Sequence, residues 1–353
     1  MHKVVKGVAL ALGLLAAWGA FTLAYVSRSP AQFVNLSSPP LPNITPQGRL
    51  TLTSGTPVMT TDNAGATSIY YTFSTGVLAP IYNGTSVQNY QFTASATDTV
   101  GLTIALGSNW AASTLYDVFL TLNSGVVTLC TTPWTSSGAG TSARATALAP
   151  YLGFEANNAS MTCRYSNSAT LTCAQYQCTY VGTFLTNGNA GQVDFKFGTT
   201  AANGGIACVC LWNAYNRVPI TGMVSDTTST WTYATSSTWE AAHNSATMRV
   251  NAVRGLNTDM MYAEYLALAV PGSGTQAVAG VGLNSTTAFS GRTGYAASSA
   301  AGLQVLGSYG GFPGVGLNFA SALEYNSTAT ASTWVGNSGT AYLQTGLSYQ
   351  ATY

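Results

Sequence analysis

Charge is what this chain has least of. Eleven Lys+Arg and 10 Asp+Glu in 353 residues make 6% of it charged, against about 25% in a typical soluble domain. With a net charge of +1, it lacks the footprint needed to bind duplex nucleic acid or an acidic membrane surface. Histidine is scarcer still, with only His2 and His243, which narrows acid–base and metal chemistry. Lys and Glu are too few to clothe the exposed faces of a helical enzyme. Disorder is excluded from the other side, because 46% of residues are hydrophobic and 11% aromatic, enough for a sizeable core. Ser, Thr, Asn and Gly fill the gaps between apolar residues, so neutral polar groups must confer solubility. Thr, Val and Tyr suit a pleated surface, while Gly and Asn supply turns. The composition predicts an all-β protein of an extracellular or particle surface.

The first residues stand apart. Lys3 and Lys6 precede an uncharged stretch, Gly7 to Val26, that ends at Arg28 and Pro30. Twenty helical residues span about 30 Å, the thickness of a bilayer core, and the flanking lysines would hold the cytoplasmic side. Three readings stay open for residues 1–28: a retained membrane anchor, a signal cleaved after Thr22-Leu-Ala24, and a helix packed against partner subunits. Residues 29–48 carry prolines at 30, 39, 40, 42 and 46, and proline fixes φ and removes donors. They predict a semi-rigid stalk.

From Arg49 onward, short alternating runs are broken by turn residues. Ser68–Phe73, Gln88–Ala94, Leu102–Ala105, Tyr116–Leu122, Val126–Cys130, Ser160–Tyr165 and Thr170–Phe184 read as strands in the first half. Ile206–Tyr215, Val218–Val224, Thr230–Tyr233, Thr247–Arg254, Met260–Val270, Ala277–Leu283, Gly316–Tyr325 and Ser332–Val335 follow in the second. Runs at this spacing predict a β-sandwich or jelly-roll-like body; one helical turn is expected in Trp239–Ala246. The Gly/Asn-rich stretch 186–205 is the best boundary, giving β modules at 49–190 and 191–353.

Several strings also resemble a known group. Gly48-Arg-Leu-Thr-Leu-Thr-Ser-Gly-Thr-Pro-Val-Met-Thr-Thr-Asp62 looks like the opening of a β-rich structural family recurrent in tailed bacteriophages and prophages. Tyr180-Val-Gly-Thr-Phe184, Leu211-Trp-Asn-Ala-Tyr-Asn-Arg-Val218, Trp231-Thr-Tyr233 and Gly280-Val-Gly-Leu283 follow in the same order. The resemblance covers roughly residues 47–353. It implies a virion structural protein of the fibre, spike or decoration kind, and it brings no catalytic residues. The chain departs from that family at its front, since particle proteins assembled in the cytoplasm need no export helix.

Cys130, Cys163, Cys173, Cys178, Cys208 and Cys210 are an even number in a chain expected to be exported, which points to disulfides. A Cys163–Cys173 bridge across the turn at residues 166–168 is one candidate. Cys208 and Cys210 alternate with Val209 on one strand face and are not expected to pair. Cys173-x₄-Cys178 with Cys208-x-Cys210 is a poor zinc pattern, so no metal or other cofactor is expected. Glu240 and His243 are close enough to meet on one turn, but without a Gly-x-Ser-x-Gly elbow the pair reads as a surface contact. Two acids could cleave a glycoside, yet no spacing ties any two of Asp194, Asp226, Glu240, Asp259, Glu264 and Glu324 together. Arg217 with Asp226, and Arg254 with Asp259, are candidate ion pairs. Trp231, Tyr233 and Trp239 lie in a Ser/Thr-rich stretch and are the candidate glycan or receptor contacts.

The reading is therefore a non-enzymatic virion structural or attachment protein at the virion surface. It is expected to self-associate, with a homotrimer as one way to cover edge strands, and to contact particle proteins or a membrane through Gly7–Val26. The alternatives are an exported, membrane-anchored adhesin binding host glycan and a polysaccharide depolymerase.

Overall fold

A computed structural model describes residues 45–93, 100–297, 302–337 and 345–353. The expected helix at Gly7–Val26 and most of the stalk lie outside the described residues. Ile44–Tyr353 pack as one unit, and its described residues are all-β: strands joined by turns, with one 3₁₀ turn among them at Ala242–Asn244. Among the described residues no helix is long and apolar enough to cross a membrane.

Among the described residues the strands form five sheets: a three-stranded one (Gly48–Thr51, Ser68–Phe73, Leu102–Ala105), a two-stranded one (Leu78–Tyr82, Val87–Gln91) and three larger ones that organise the body. The first, here the cysteine sheet, runs in the order Thr170–Cys173, Met161–Arg164, Val126–Pro133, Leu115–Asn123, Thr179–Leu185, Phe154–Asn157 and Leu148–Tyr151. The second, the outer sheet, runs Asn63–Ala66, Val193–Lys196, Ile206–Val209, Arg249–Arg254, Gly316–Asn326, Ala277–Leu283 and Gly294–Ala296, with Trp239–Ala241 also paired to Gly316–Asn326. The third, the C-terminal sheet, runs Thr200–Ala201, Pro219–Asp226, Gly346–Thr352, Met261–Val270, Ser332–Val335 and Thr230–Tyr233, with Leu303–Gly311 beside Met261–Val270. Almost every pairing is antiparallel, which suits a charge-poor chain because one face of each strand can be buried while Ser and Thr cover the other. The stretches 49–190 and 191–353 share sheets: Asn63–Ala66 pairs with Val193–Lys196, and Thr179–Leu185 pairs with Leu211–Asn213.

Two interiors result. Between the outer and C-terminal sheets the core is rich in alanine, including Ala252, Ala279, Ala320 and Ala322 against Ala263, Ala267 and Ala269. Short side chains there leave room for Trp231, Tyr265 and Trp334 to reach across the layer. Behind the cysteine sheet, Phe119, Trp134, Met161, Tyr180 and Trp212 surround the cysteines. A Cβ at Gly255 would stand 1.7 Å from the Tyr180 hydroxyl and 2.6 Å from the Trp212 ring, so only glycine lets the chain pass there.

The run expected at Thr170–Phe184 is two strands, broken at the turn that carries Cys173 and Cys178. Four strand spacings of about 4.8 Å would place the first of these strands some 19 Å from the second in a flat sheet. Their Cα atoms at Cys173 and Cys178 are 6.0 Å apart, so the cysteine sheet curls back on itself. Two features permit it: Met161–Arg164 meets Val126–Pro133 only at Arg164↔Thr131, and the register slips at Tyr180/Gly182. The turn expected in Trp239–Ala246 is a short strand, Trp239–Ala241, followed by the 3₁₀ turn.

Candidate functional site

Directly opposed residues of neighbouring strands share a face, and one face of the outer sheet gathers aromatic rings this way. Trp239 opposes Tyr325, Tyr325 opposes Val278, and Val278 opposes Tyr295. The row crosses four strands, about 14 Å at ordinary strand spacing. Trp239 holds its ring 5.1 Å from that of Tyr325 and 5.2 Å from that of Phe289, tilted against them by 37° and 44°. Its ring lies over Gly280, where a Cβ would come within 2.8 Å of it. Tyr295 is 65% exposed and Phe289 49%, and Ser236, Ser237, Thr238 and Ser285 border the row with neutral hydroxyls.

The same face carries a polar basin nearer the other end of Gly316–Asn326. There Ile206 and Cys208 oppose Arg249 and Asn251, and these oppose Ser321 and Phe319. A cavity of about 400 Å³ opens here, lined among others by Asn187, Asp194, Lys196, Arg249 and Asn251. Lys196 is neutralised by Asp194 at 2.8 Å. The Arg249 guanidinium lies over the Phe319 ring, and its Nε has no hydrogen-bond partner.

Of the three aromatics expected to meet a glycan, only Trp239 reaches solvent. Trp231 and Tyr233 point into the alanine-rich core, because Thr230–Tyr233 turns alternate residues inward against the outer sheet. Trp231 Nε1 donates to both oxygens of Glu324, at 3.0 and 3.1 Å. Tyr233 donates its hydroxyl to the Thr238 carbonyl. Phe289, Tyr295 and Tyr325 were not singled out from the sequence; strand register aligns Tyr295 and Tyr325, and the connection after Ala277–Leu283 brings Phe289 onto Trp239, both long-range properties.

The acids are distributed as structural ties. Glu324 is fully buried; besides Trp231 it accepts from Tyr265 at 3.1 Å, and burial pushes its carboxyl up to about 8. Glu240 opposes it on the neighbouring strand and is raised by burial too. Here two of the six candidate acids come together, but Glu324 has no exposed surface through which a sugar could reach it. His243 pairs with Asp226 at 2.6 Å, not with Glu240, because its backbone adopts the left-handed conformation (φ 56°) and swings the ring onto Trp231 at 4.6 Å. Asp226 is thereby taken from Arg217, which instead pairs with Asp259 at 2.7 Å. Arg254, fully buried, donates to the carbonyls of Val253 and Thr352 in place of the expected Asp259 bond. Glu264 accepts the Tyr262 hydroxyl at 2.7 Å.

All six cysteines form disulfides: Cys130–Cys163, Cys173–Cys178 and Cys208–Cys210. The Cys163–Cys173 candidate is thus replaced by bonds from each cysteine to another strand or turn. Cys208 and Cys210 do pair, because Cys210 falls in the break between Ile206–Val209 and Leu211–Asn213. The bend there shortens the Cα–Cα distance to 5.1 Å, against about 6.6 Å along an extended strand.

No protein-family model matches the chain, and no curated protein does. Among solved structures, an infectious bursal disease virus Gx strain structure aligns with 83% of this chain and 75% of its own, at 12% identity and a TM-score of 0.21. The mosquito-larvicidal Cry4Aa toxin from Bacillus thuringiensis aligns at 8% identity and 0.18. The Cry1Da tryptic core from the same species aligns at 7% and 0.17. The chain spans about half the length of either toxin. At these scores the alignments carry no argument about fold or function.

Proposed function

We propose that this chain is a non-enzymatic structural or attachment protein of a bacteriophage or phage-derived particle, of the fibre, spike or decoration kind. In this reading its sheets form a sandwich, jelly-roll-like module, which displays the outer-sheet face toward host glycan. The observation that carries the reading is where the charge goes. Asp194, Asp226, Asp259, Glu264 and Glu324 are spent on buried or paired contacts, while the Trp239–Tyr295 row offers rings bordered by neutral polar groups. Neutral sugars stack their C–H faces on such rings and exchange hydrogen bonds with such groups. The order of motifs from Gly48 to Leu283 supports the phage assignment.

A second reading, a membrane-anchored adhesin with the same glycan face, is favoured by the uncharged stretch Gly7–Val26 behind Lys3 and Lys6. Density-gradient separation of particles from cell envelope, followed by peptide mapping of both, separates the two. Enrichment in particles, with peptides upstream of Arg28 present, is the expected result. Recovery in the envelope alone sinks the particle reading and leaves the adhesin.

A further inference from the structure

The sulfur atoms of Cys130, Cys163, Cys173 and Cys178 form a single cluster. All four residues are buried, and their four Sγ atoms lie within 4.8 Å of one another. Two disulfides need no such proximity, as the separate Cys208–Cys210 bond illustrates. A tetrahedral zinc–thiolate centre does: Zn–S bonds of about 2.3 Å put the sulfurs roughly 3.8 Å apart. Converting the observed arrangement to that geometry needs sulfur displacements on the order of 1 Å.

The four ligands come from separate parts of the curled sheet. Cys130 lies on Val126–Pro133 opposite Phe119, and Cys163 opposes Leu171 while Cys173 opposes Met161. Cys178 is held where its N–H donates to Asn157 Oδ1 at 2.9 Å. The Thr121 hydroxyl, which donates to the Gln177 carbonyl at 3.1 Å, lies 3.9 Å from Cys173 Sγ. The strand ladders and the Asn157 clamp supply this placement independently of the sulfur–sulfur bonds.

The geometry points to a zinc site in the reduced chain, made of these four cysteines and exchangeable for the two disulfides. On binding, four thiols release four protons and one Zn²⁺ takes four thiolates. On oxidation, two equivalents of a small-molecule disulfide such as glutathione disulfide each accept two electrons. The four thiolates become Cys130–Cys163 and Cys173–Cys178, four protons from solvent complete the reduced thiols, and Zn²⁺ departs. A chain folded in a reducing compartment would thus hold the curled sheet closed with metal, and the same chain after oxidation would hold it with disulfides. This inference is independent of the particle or adhesin reading.

Cobalt titration of the full chain tests it. The chain is reduced anaerobically, freed of reductant and titrated with Co²⁺. The expected result is one equivalent bound with the visible d–d bands of a tetrahedral thiolate site, displaced by Zn²⁺. Two equivalents of glutathione disulfide should then release one zinc per chain. Cys208→Ser/Cys210→Ser should leave the spectrum unchanged, and Cys163→Ser/Cys173→Ser should abolish it. Absence of the bands in wild type overturns the proposal, as does survival of the bands in Cys163→Ser/Cys173→Ser. So does loss of the β circular-dichroism signal on reduction that one equivalent of zinc fails to restore.

Discussion

Behind the cysteine sheet, large rings and sulfur fill the interior, whereas between the outer and C-terminal sheets alanines pack around a buried carboxyl. The first interior is closed covalently: Cys130–Cys163 and Cys173–Cys178 pin the curl among Phe119, Trp134, Tyr180 and Trp212. The second is closed by hydrogen bonds, with Glu324 of one layer held by Trp231 and Tyr265 of the other. One chain with few charges has therefore fastened two pairs of β-layers by different chemistry. The first fastening should respond to redox conditions and the second to pH. Each of the following measurements can break that division.

The largest effect is expected from Cys130→Ala/Cys163→Ala in the oxidised protein. This bond closes a loop with a sequence separation of 33, which in the chain-entropy account contributes about 4 kcal/mol. Cys208→Ala/Cys210→Ala opens a separation of only 2 and should cost less than about 2 kcal/mol. Denaturant midpoints of the two variants against wild type check the order. Equal losses would mean that the cysteine cluster does not carry the closure of its interior.

Next comes Glu324. Its folded carboxyl, near 8, keeps its proton where the unfolded carboxyl, near 4.5, has lost it. The folded state therefore binds more protons between these values, and stability falls as pH rises. The contribution is full below about pH 4.5 and is lost through pH 8, with a slope of roughly 1.4 kcal/mol per pH unit. Glu240, raised in the same direction, adds a smaller slope of the same sign. Glu324→Gln should flatten the dependence of Tm between pH 5 and 7.5 while wild type declines. A decline of the same steepness in the variant would remove Glu324 from the account.

Gly255→Ala should cost about 2–3 kcal/mol, because its methyl would overlap the Tyr180 hydroxyl and the Trp212 ring in a close-packed interior. Thermal unfolding of the oxidised variant checks it. A neutral result would mean that the ring-packed interior yields more easily than its closure implies.

How much of this was legible beforehand follows from which interactions are local. Alternation located Ser68–Phe73, Leu102–Ala105, Thr230–Tyr233 and Met261–Val270 almost to the residue, because a period of two is written along the chain itself. Leu303–Gly311 and Leu78–Tyr82 went unread: Gly307, Gly310 and Gly311 interrupt the first and Pro80 the second. Glycine and proline signal turns unless a neighbouring strand, here Met261–Val270 or Val87–Gln91, supplies the pairing that overrides them. The site was legible only in Trp239. Its companions Tyr295 and Tyr325 join it through strand register and Phe289 through the connection between two strands, and Trp231 was withdrawn from the surface by Glu324, 93 positions away. The disulfides likewise depend on the curl of a sheet that no local spacing encodes.

The smallest effect on stability, and the most informative for function, is expected at the aromatic face. Trp239 is partly exposed and packs at a tilt against Phe289 and Tyr325, so Trp239→Ala removes ring contacts worth about 0.5–1.5 kcal/mol without opening either interior. Its Tm should stay within a few degrees of wild type. Retention on immobilised host polysaccharide should fall at least tenfold, since truncating a central ring at a binding surface commonly costs 1–2 kcal/mol or more. Trp231→Phe, which cuts the bond to Glu324 inside the core, should do the reverse: lower Tm by several degrees and leave retention intact. If Trp231→Phe lost the glycan and Trp239→Ala kept it, the binding surface would have to lie away from the Trp239–Tyr295 row, and the outer face of this sheet would be free for contact between copies of the chain.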